Sequence, residues 1–177
     1  MGLYKEIRLQ VIDWQVVVKK HGPTVWHIAY RLLGNHTDTA DCFQETFVSA
    51  LEVSRHQRVR NFSALLVRLA TARAIDRLRQ RIREPRISTE IADCAAVPGV
   101  HPEPFQQIQA DELVIGLREA LSQLPPLEAQ VFCLRYLNNM SYRRIAKELG
   151  IKANTAGVLL HRARAKLREL LEKAAVT

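Results

Sequence analysis

The sequence predicts an all-α protein of two helical domains joined by a flexible linker. Three observations carry this. The run from Phe62 to Leu78 places Phe62, Leu65, Leu66, Leu69, Ala70, Ala74 and Leu78 at helical spacing. The run from Leu124 to Leu171 alternates helix stops and starts: Leu124-Pro125-Pro126, then Ser141, Gly150 and Asn154. Between them, the stretch Glu84 to Gln109 holds Pro85, Pro98, Pro102 and Pro104, four of the chain's 7 prolines, together with Gly99. The expected division is a first domain over 1–84, a linker over 85–109 and a second domain over 110–177.

In chain order, residues near Glu6 to Lys20 read as a helix with apolar surface from Leu9, Ile12, Trp14, Val16 and Val17. Gly22-Pro23 reads as its break, with Pro23 opening a second helix that buries Val25, Ile28, Ala29, Leu32 and Leu33 and closes at Gly34. Asp38 stands near the start of a third helix, where a negative charge suits the macrodipole. Phe43, Phe47, Val48 and Leu51 form that helix's apolar stripe, and Asp38, Asp41 and Glu45 share the opposite face at spacings of three and four. Ser54 to Arg60 reads as a loop, and Asn61 as the cap of the long helix that follows. After the linker, a helix from Asp111 to Ser122 offers Leu113, Leu117 and Leu121. Pro126 opens another, Ser141 caps the next and Gly150 ends it. Asn154 caps the last, whose stripe is Leu160, Ala163, Leu167 and Leu170. Two short helices joined by a turn containing glycine form a helix-turn-helix, whose second helix fits a major groove.

Composition narrows the partners. The chain has 177 residues, 47% hydrophobic, with 26 Lys and Arg against 18 Asp and Glu, a formal charge of +8. That surplus favours an anionic partner such as nucleic acid. From Arg55 to Arg83 the chain holds nine arginines and a single acid, Asp76. Such a run does not ion-pair along its own helix, and permanently charged planar guanidinium groups suit phosphates and base edges. The cysteines number 3, Cys42, Cys94 and Cys133, with no Cys-x-x-Cys pair, so neither a disulfide framework nor a zinc site is expected and a cytoplasmic setting fits. No apolar run of membrane-spanning length and no cleavable leader is present, so no membrane insertion is expected. Asp38, Asp41 and Glu45 lack the Glu-x-x-His partners of a helical di-metal site. They read as a solvated face or as a docking face for a basic partner helix. No nucleophile–base pair or Gly-rich phosphate loop appears, and the histidines are scattered. No catalytic residue, metal or cofactor is expected, and the chain is not expected to be an enzyme.

The residues also carry a family resemblance. Asp38-Thr39-Ala40-Asp41-Cys42-Phe43-Gln44-Glu45-Thr46-Phe47, and then the run Phe62 to Arg79 ending Ala74-Ile75-Asp76-Arg77-Leu78-Arg79, resemble region 2 of bacterial extracytoplasmic-function (ECF) sigma factors. The opening Leu124-Pro125-Pro126, the run Ser141 to Ile151 and the run His161 to Leu171 resemble region 4 of the same family. The resemblance implies a dissociable promoter-specificity subunit of RNA polymerase, with core polymerase, promoter DNA and an anti-sigma factor as partners. It implies that Asp38, Asp41, Gln44, Glu45 and Phe47 bind the polymerase clamp helices. Arg58, Arg60, Asn61, Phe62, Arg68, Arg73 and Arg77 would capture the unpaired minus-ten strand. Leu127 to Leu137 would face the polymerase flap. Arg143, Arg144, Asn154, Thr155, Val158, Leu159, Arg162, Arg164 and Lys166 would meet the minus-thirty-five duplex. The chain departs from the family pattern where Trp and Asn are usual, at Leu65 and Ala72, near the expected strand-capturing surface. It departs again at Gly157, Val158 and Leu159, which replace residues able to donate to base edges. That second departure raises an alternative, a polymerase-binding regulator whose helix-turn-helix docks protein instead of DNA.

Overall fold

The computed structural model describes residues 12–83 and 104–175. Among them the chain forms seven helices: α1 Trp14–Leu33, α2 His36–His56, α3 Phe62–Arg83, α4 Pro104–Gln123, α5 Pro126–Tyr136, α6 Tyr142–Leu149 and α7 Ala153–Ala175. The first three pack on one another, α4 to α7 form a second group, and α3 packs against α4, α5 and α6 as well.

Asp13, not a residue further upstream, starts α1. Its carboxylate accepts from the N–H groups of Gln15 at 3.0 Å and Val16 at 3.2 Å, the usual way a helix satisfies its first donors. The part of the expected first helix before residue 12 lies outside the described residues. The expected break at Gly22-Pro23 does not occur, and α1 runs unbroken through Pro23. The missing N–H leaves the Lys19 carbonyl without its helical donor, but Lys19 is exposed, so water can supply one. Packing holds the helix on both sides of the proline. Trp14 meets Phe62 of α3 edge-on at 5.7 Å, and Val25, Ile28, Ala29, Leu32 and Leu33 are buried. Gly34 ends α1 in the left-handed conformation, φ 74°, as the sequence suggests.

Asn35 caps α2, accepting from the Asp38 N–H at 2.8 Å and donating to the Asp38 carboxylate at 2.8 Å. The helix continues to His56, so the loop before α3 is shorter than the expected Ser54 to Arg60. Of the expected apolar stripe, Phe47 is buried and Phe43 packs on the core, but the buried face also takes small polar residues. Thr39, Cys42, Thr46, Phe47, Ser49 and Ala50 are buried, while Val48 is 54% exposed. Ala70 and Ala74 of α3 are fully buried, and the Cys42 thiol reaches the Ala70 carbonyl at 3.8 Å. The hydroxyls of Thr39 and Thr46 bond the carbonyls four residues back, so they enter the interior satisfied. Burial pushes the Cys42 thiol up to about 11 and the Cys133 thiol up to about 12, so both stay protonated at neutral pH.

In the second half α4 begins at Pro104, inside the expected linker, whose residues 85–103 lie outside the described residues. Leu117 and Leu121 turn toward the core as expected, but Leu113 is 71% exposed. Pro126 takes the first turn of α5. Asn139 makes the α5–α6 turn at φ 51°, a conformation that asparagine tolerates. Helix α7 starts at Ala153, so Asn154 lies in its first turn instead of capping it.

One core runs through both groups. It joins Leu32, Leu66 and Ile75 to Leu121, Leu134, Ile145 and Leu160. Arginines stitch the groups together at helix C-termini, where carbonyls lack helical donors and the macrodipole is negative. Arg79 of α3 donates to the Ser122 carbonyl at 3.1 Å and to that of Leu124, at the end of α4. Arg31 donates to the Leu137 carbonyl at 3.3 Å, and Arg118 to the Arg31 carbonyl at 3.1 Å.

Two glycines test this account in opposite directions. A Cβ on Gly22 would meet Phe43 at an ordinary 3.5 Å. Gly22→Ala is therefore expected to stabilise the protein by about 0.5–1 kcal/mol. A Cβ on Gly34 is disfavoured by φ and would fall 2.3 Å from the Arg118 guanidinium. Gly34→Ala is expected to cost about 1–2 kcal/mol. Denaturant unfolding of the two variants measures both.

Candidate functional site

Three surfaces collect the residues singled out from the sequence. The first is the acidic face of α2. Asp41, Gln44 and Glu45 are exposed, and Asp38 is half-buried. The carboxylates are not simply solvated. The Arg77 guanidinium of α3 lies among them, 2.6 Å from Glu45 Oε1, 3.1 Å from Asp41 Oδ2 and 3.7 Å from Asp38 Oδ1. Arg81 stands 3.8 Å from Asp38 Oδ2. Burial works against the charge on Arg77, but the Glu45 hydrogen bond and the three carboxylates outweigh it and raise the pKa. Phe47, which the resemblance adds to this docking set, is buried, its ring 4.9 Å from that of Phe43. The helical period explains the correction. Phe47 follows Phe43 by one turn and Glu45 by two residues, so it turns to the opposite side of α2.

The second surface is the start of α3 with the residues before it. Arg58 and Arg60 are exposed. Asn61 caps α3, accepting from the Ala64 N–H at 3.0 Å, so its carbonyl oxygen is committed. Phe62 is half-buried against Trp14. Arg68 is half-buried, and its backbone carbonyl accepts from Gln130 at 3.2 Å. Arg73 is exposed and donates to the Ser49 hydroxyl at 3.0 Å. Arg77 belongs to the acidic face instead. Leu65 is 7% exposed, so the departure there alters the core and not an outer surface. Ala72 is half-buried.

The third surface is the helix-turn-helix. Ser141 accepts from the Arg144 N–H at 3.3 Å and starts α6, and Gly150 ends it at φ 66°. Ile145 and Ala146 hold α6 to the core, leaving Tyr142, Arg143 and Arg144 exposed. A shallow groove between α6 and α7 is lined by Tyr142, Arg143, Asn154, Gly157, Val158 and His161. Tyr142 is held by Arg135, whose guanidinium lies 5.4 Å from the ring centroid. Thr155, Arg162, Arg164 and Lys166 are exposed, and Lys166 pairs with Glu169 at 3.1 Å. At about 100° per residue, Arg162 and Arg164 fall about 80° to either side of the line through Asn154, Val158 and His161. They therefore flank the groove. Leu159 does not join it. It is half-buried and packed on the core, because consecutive residues cannot share one helix face. His161 and Tyr142 were missed by the sequence reading. The spacing of Asn154, Val158 and His161, four and then three apart, was the available signal.

Comparison with known proteins decides what these surfaces belong to. Residues 17–84 match the family described as Sigma-70 region 2, and residues 116–167 the family described as Sigma-70, region 4. RNA polymerase sigma factor CarQ of Myxococcus xanthus is 30% identical over 154 residues, covering 86% of this chain and 85% of that protein. The chain belongs to the ECF sigma-factor family. ECF RNA polymerase sigma factor SigE of Mycolicibacterium smegmatis is 33% identical over 161 residues, 91% of this chain, and the chain spans 62% of that relative's length. The structure of CnrH in complex with the cytosolic domain of CnrY shares the fold, with a TM-score of 0.56 at 22% identity over 90% of this chain and 88% of that one. As an ECF sigma factor, the chain carries both matched regions, and among the described residues its elements are all helices. No helix among its described residues is long and apolar enough to cross a membrane.

The groove assignment separates two adjacent residues. Val158 is 51% exposed. Val158→Arg is expected to change stability by no more than about 0.5 kcal/mol, the usual range for an open surface site. Leu159→Arg drives a charge against the core and is expected to cost about 1–3 kcal/mol. Paired thermal and denaturant melts measure the difference.

Proposed function

We propose that this chain is a dissociable sigma subunit of RNA polymerase that acts in the cytoplasm and directs promoter recognition, strand opening and initiation. The observation that carries this reading is the order of the two matched regions, each presenting chemistry suited to its part. Region 2, within residues 1–84, docks on core polymerase through Asp38, Asp41, Gln44 and Glu45. Exposed carboxylates on one helix face complement a basic partner helix. Arg58, Arg60, Asn61, Phe62, Arg68 and Arg73 engage the minus-ten strand, where aromatic stacking and guanidinium contacts offset the cost of unpairing a base. Residues 85–109 connect it to region 4, within residues 110–177. There α5 faces the polymerase flap and the α6–α7 groove meets the minus-thirty-five duplex. Asn154, Thr155 and Val158 face bases there, with Arg143, Arg144, Arg162, Arg164 and Lys166 toward phosphates. An anti-sigma factor is a further proposed partner, since the sigma factor RpoE of Bartonella quintana, a relative in fold, is solved in complex with the anti-sigma factor NepR.

In vitro transcription with core polymerase and a promoter library tests the reading. Initiation at a defined two-part motif is expected. Polymerase binding without initiation at any promoter would overturn it in favour of a regulator that only docks protein.

Two further outcomes follow from the same assignment. Replacing Asp41 and Glu45 by Asn and Gln removes charge while keeping shape, and avoids setting new cations against Arg77. Core affinity in a competition assay is expected to fall roughly tenfold, about the sum of two exposed ion pairs. For duplex DNA, the isolated protein is expected to bind weakly, with a log–log salt slope of about −3 to −5 for the exposed basic side chains around the groove. Val158→Arg adds a donor at the groove floor and is expected to sharpen minus-thirty-five preference by about 1–3 kcal/mol at one base pair. Binding titrations at several salt concentrations and run-off transcription across a randomised element measure the two effects.

A further inference from the structure

Arg77 holds the acidic face of α2 in one arrangement. Its side chain reaches from α3 and is only 23% exposed, whereas those of Asp41 and Glu45 are 52% and 46% exposed. Its two terminal nitrogens divide their contacts: Nη2 takes Glu45 Oε1, while Nη1 takes Asp41 Oδ2 and lies near Asp38 Oδ1. The Nε is buried and has no hydrogen-bond partner among the described residues. The guanidinium thus gives up one donor in order to sit between the carboxylates, so their charges fix its position. In turn it cancels part of their mutual repulsion. Each carboxylate binds Arg77 through one oxygen, leaving Glu45 Oε2 and Asp41 Oδ1 outside that contact. Asp38 is held a second time, by Asn35 at 2.8 Å and near Arg81. Arg73 and Arg79, on the same helix, are bound elsewhere, to Ser49 and to the end of α4.

We propose that Arg77 is a positioning residue for polymerase docking, not a minus-ten contact: it presents Asp41 and Glu45 to a basic partner in fixed orientations. This rests on the docking role given to α2 above. A docking partner meets carboxylates already ordered, which removes part of the side-chain entropy that association otherwise costs. Loss of the fork would leave three like charges on one face with their rotamers free.

The test uses the full chain, core polymerase and a promoter on which the wild-type protein initiates. Arg77→Met keeps the aliphatic stem and removes the fork, and Arg77→Lys keeps the charge without it. The concentration of sigma giving half-maximal initiation is expected to rise about 5- to 10-fold for Arg77→Met and by less for Arg77→Lys. The initiation rate at saturating sigma is expected to stay at the wild-type level, as is the salt dependence of single-stranded minus-ten binding. A lower saturating rate with unchanged half-maximal concentration would overturn the proposal and return Arg77 to the DNA surface. Tighter core binding by Arg77→Met would also overturn it, since Arg77 would then be competing with the polymerase for the same oxygens. Circular dichroism melts accompany both variants. If Arg77→Met fails to fold, the Arg77→Lys comparison decides alone. Should the charge-neutral Asp41 and Glu45 variant bind core normally, the docking role itself fails, an outcome separate from any result at Arg77.

Discussion

Five helices, α1, α2, α4, α5 and α6, pack on α3. Its buried residues Leu65, Leu66, Val67, Ala70, Thr71, Ala74, Ile75 and Leu78 leave only a narrow part of the helix for solvent. Helices α1 and α2 cover it most extensively, and α4, α5 and α6 pack on it as well. That burial dictates where its arginines can go. A guanidinium on a long stem can cover apolar surface while its head finds an acceptor at the rim. Arg73 finds Ser49, Arg77 the α2 carboxylates, Arg79 the end of α4, and Arg81 the Leu33 carbonyl at 3.2 Å. A run that looks made for phosphates is in large part spent on the fold.

The same constraint joins the two halves. Apolar contact alone is non-directional, and several relative placements of two helical groups would bury similar area. The arginine–carbonyl bonds at the C-termini of α1, α4 and α5 are directional. Each closes a carbonyl left open at a helix end, so they select one placement. Gly34 belongs to this arrangement: only without a side chain does the chain turn there and leave room for the Arg118 guanidinium.

In the helix-turn-helix, geometry and not composition defines the groove. The α6–α7 pair keeps cations at its edges, Arg143, Arg144, Arg162 and Arg164, and places Asn154, Gly157, Val158 and His161 in between. Under the proposed reading, charge at the rim would attract a polyanion whatever its sequence, while the floor presents one amide, one imidazole and one apolar side chain.

The sequence alone settles the helical class, the helix-turn-helix with its Ser141 and Gly150 ends, and the buried lines of α1 and α7. These follow from caps and from the 3.6-residue period, which are local properties of the chain. It also carried the family, because matched motifs preserve order. Local signals failed where packing opposed them. Pro23 was read as a break, but α3 holds α1 on both sides of it, and the lost hydrogen bond lies toward water. Phe43, Phe47 and Val48 fit one stripe by residue type, yet only the two aromatics turn inward and Val48 is 54% exposed, because the face that meets α3 also takes Thr39, Cys42, Thr46 and Ala50. Phe47 and Leu159, which the family resemblance places in binding surfaces, turn to the core, because the helical period and not the motif sets their direction. Only the tertiary structure could decide that Arg77 belongs with Asp38, Asp41 and Glu45. The two elements lie far apart in sequence, and a guanidinium's partner is set by which acceptors the fold brings within its reach.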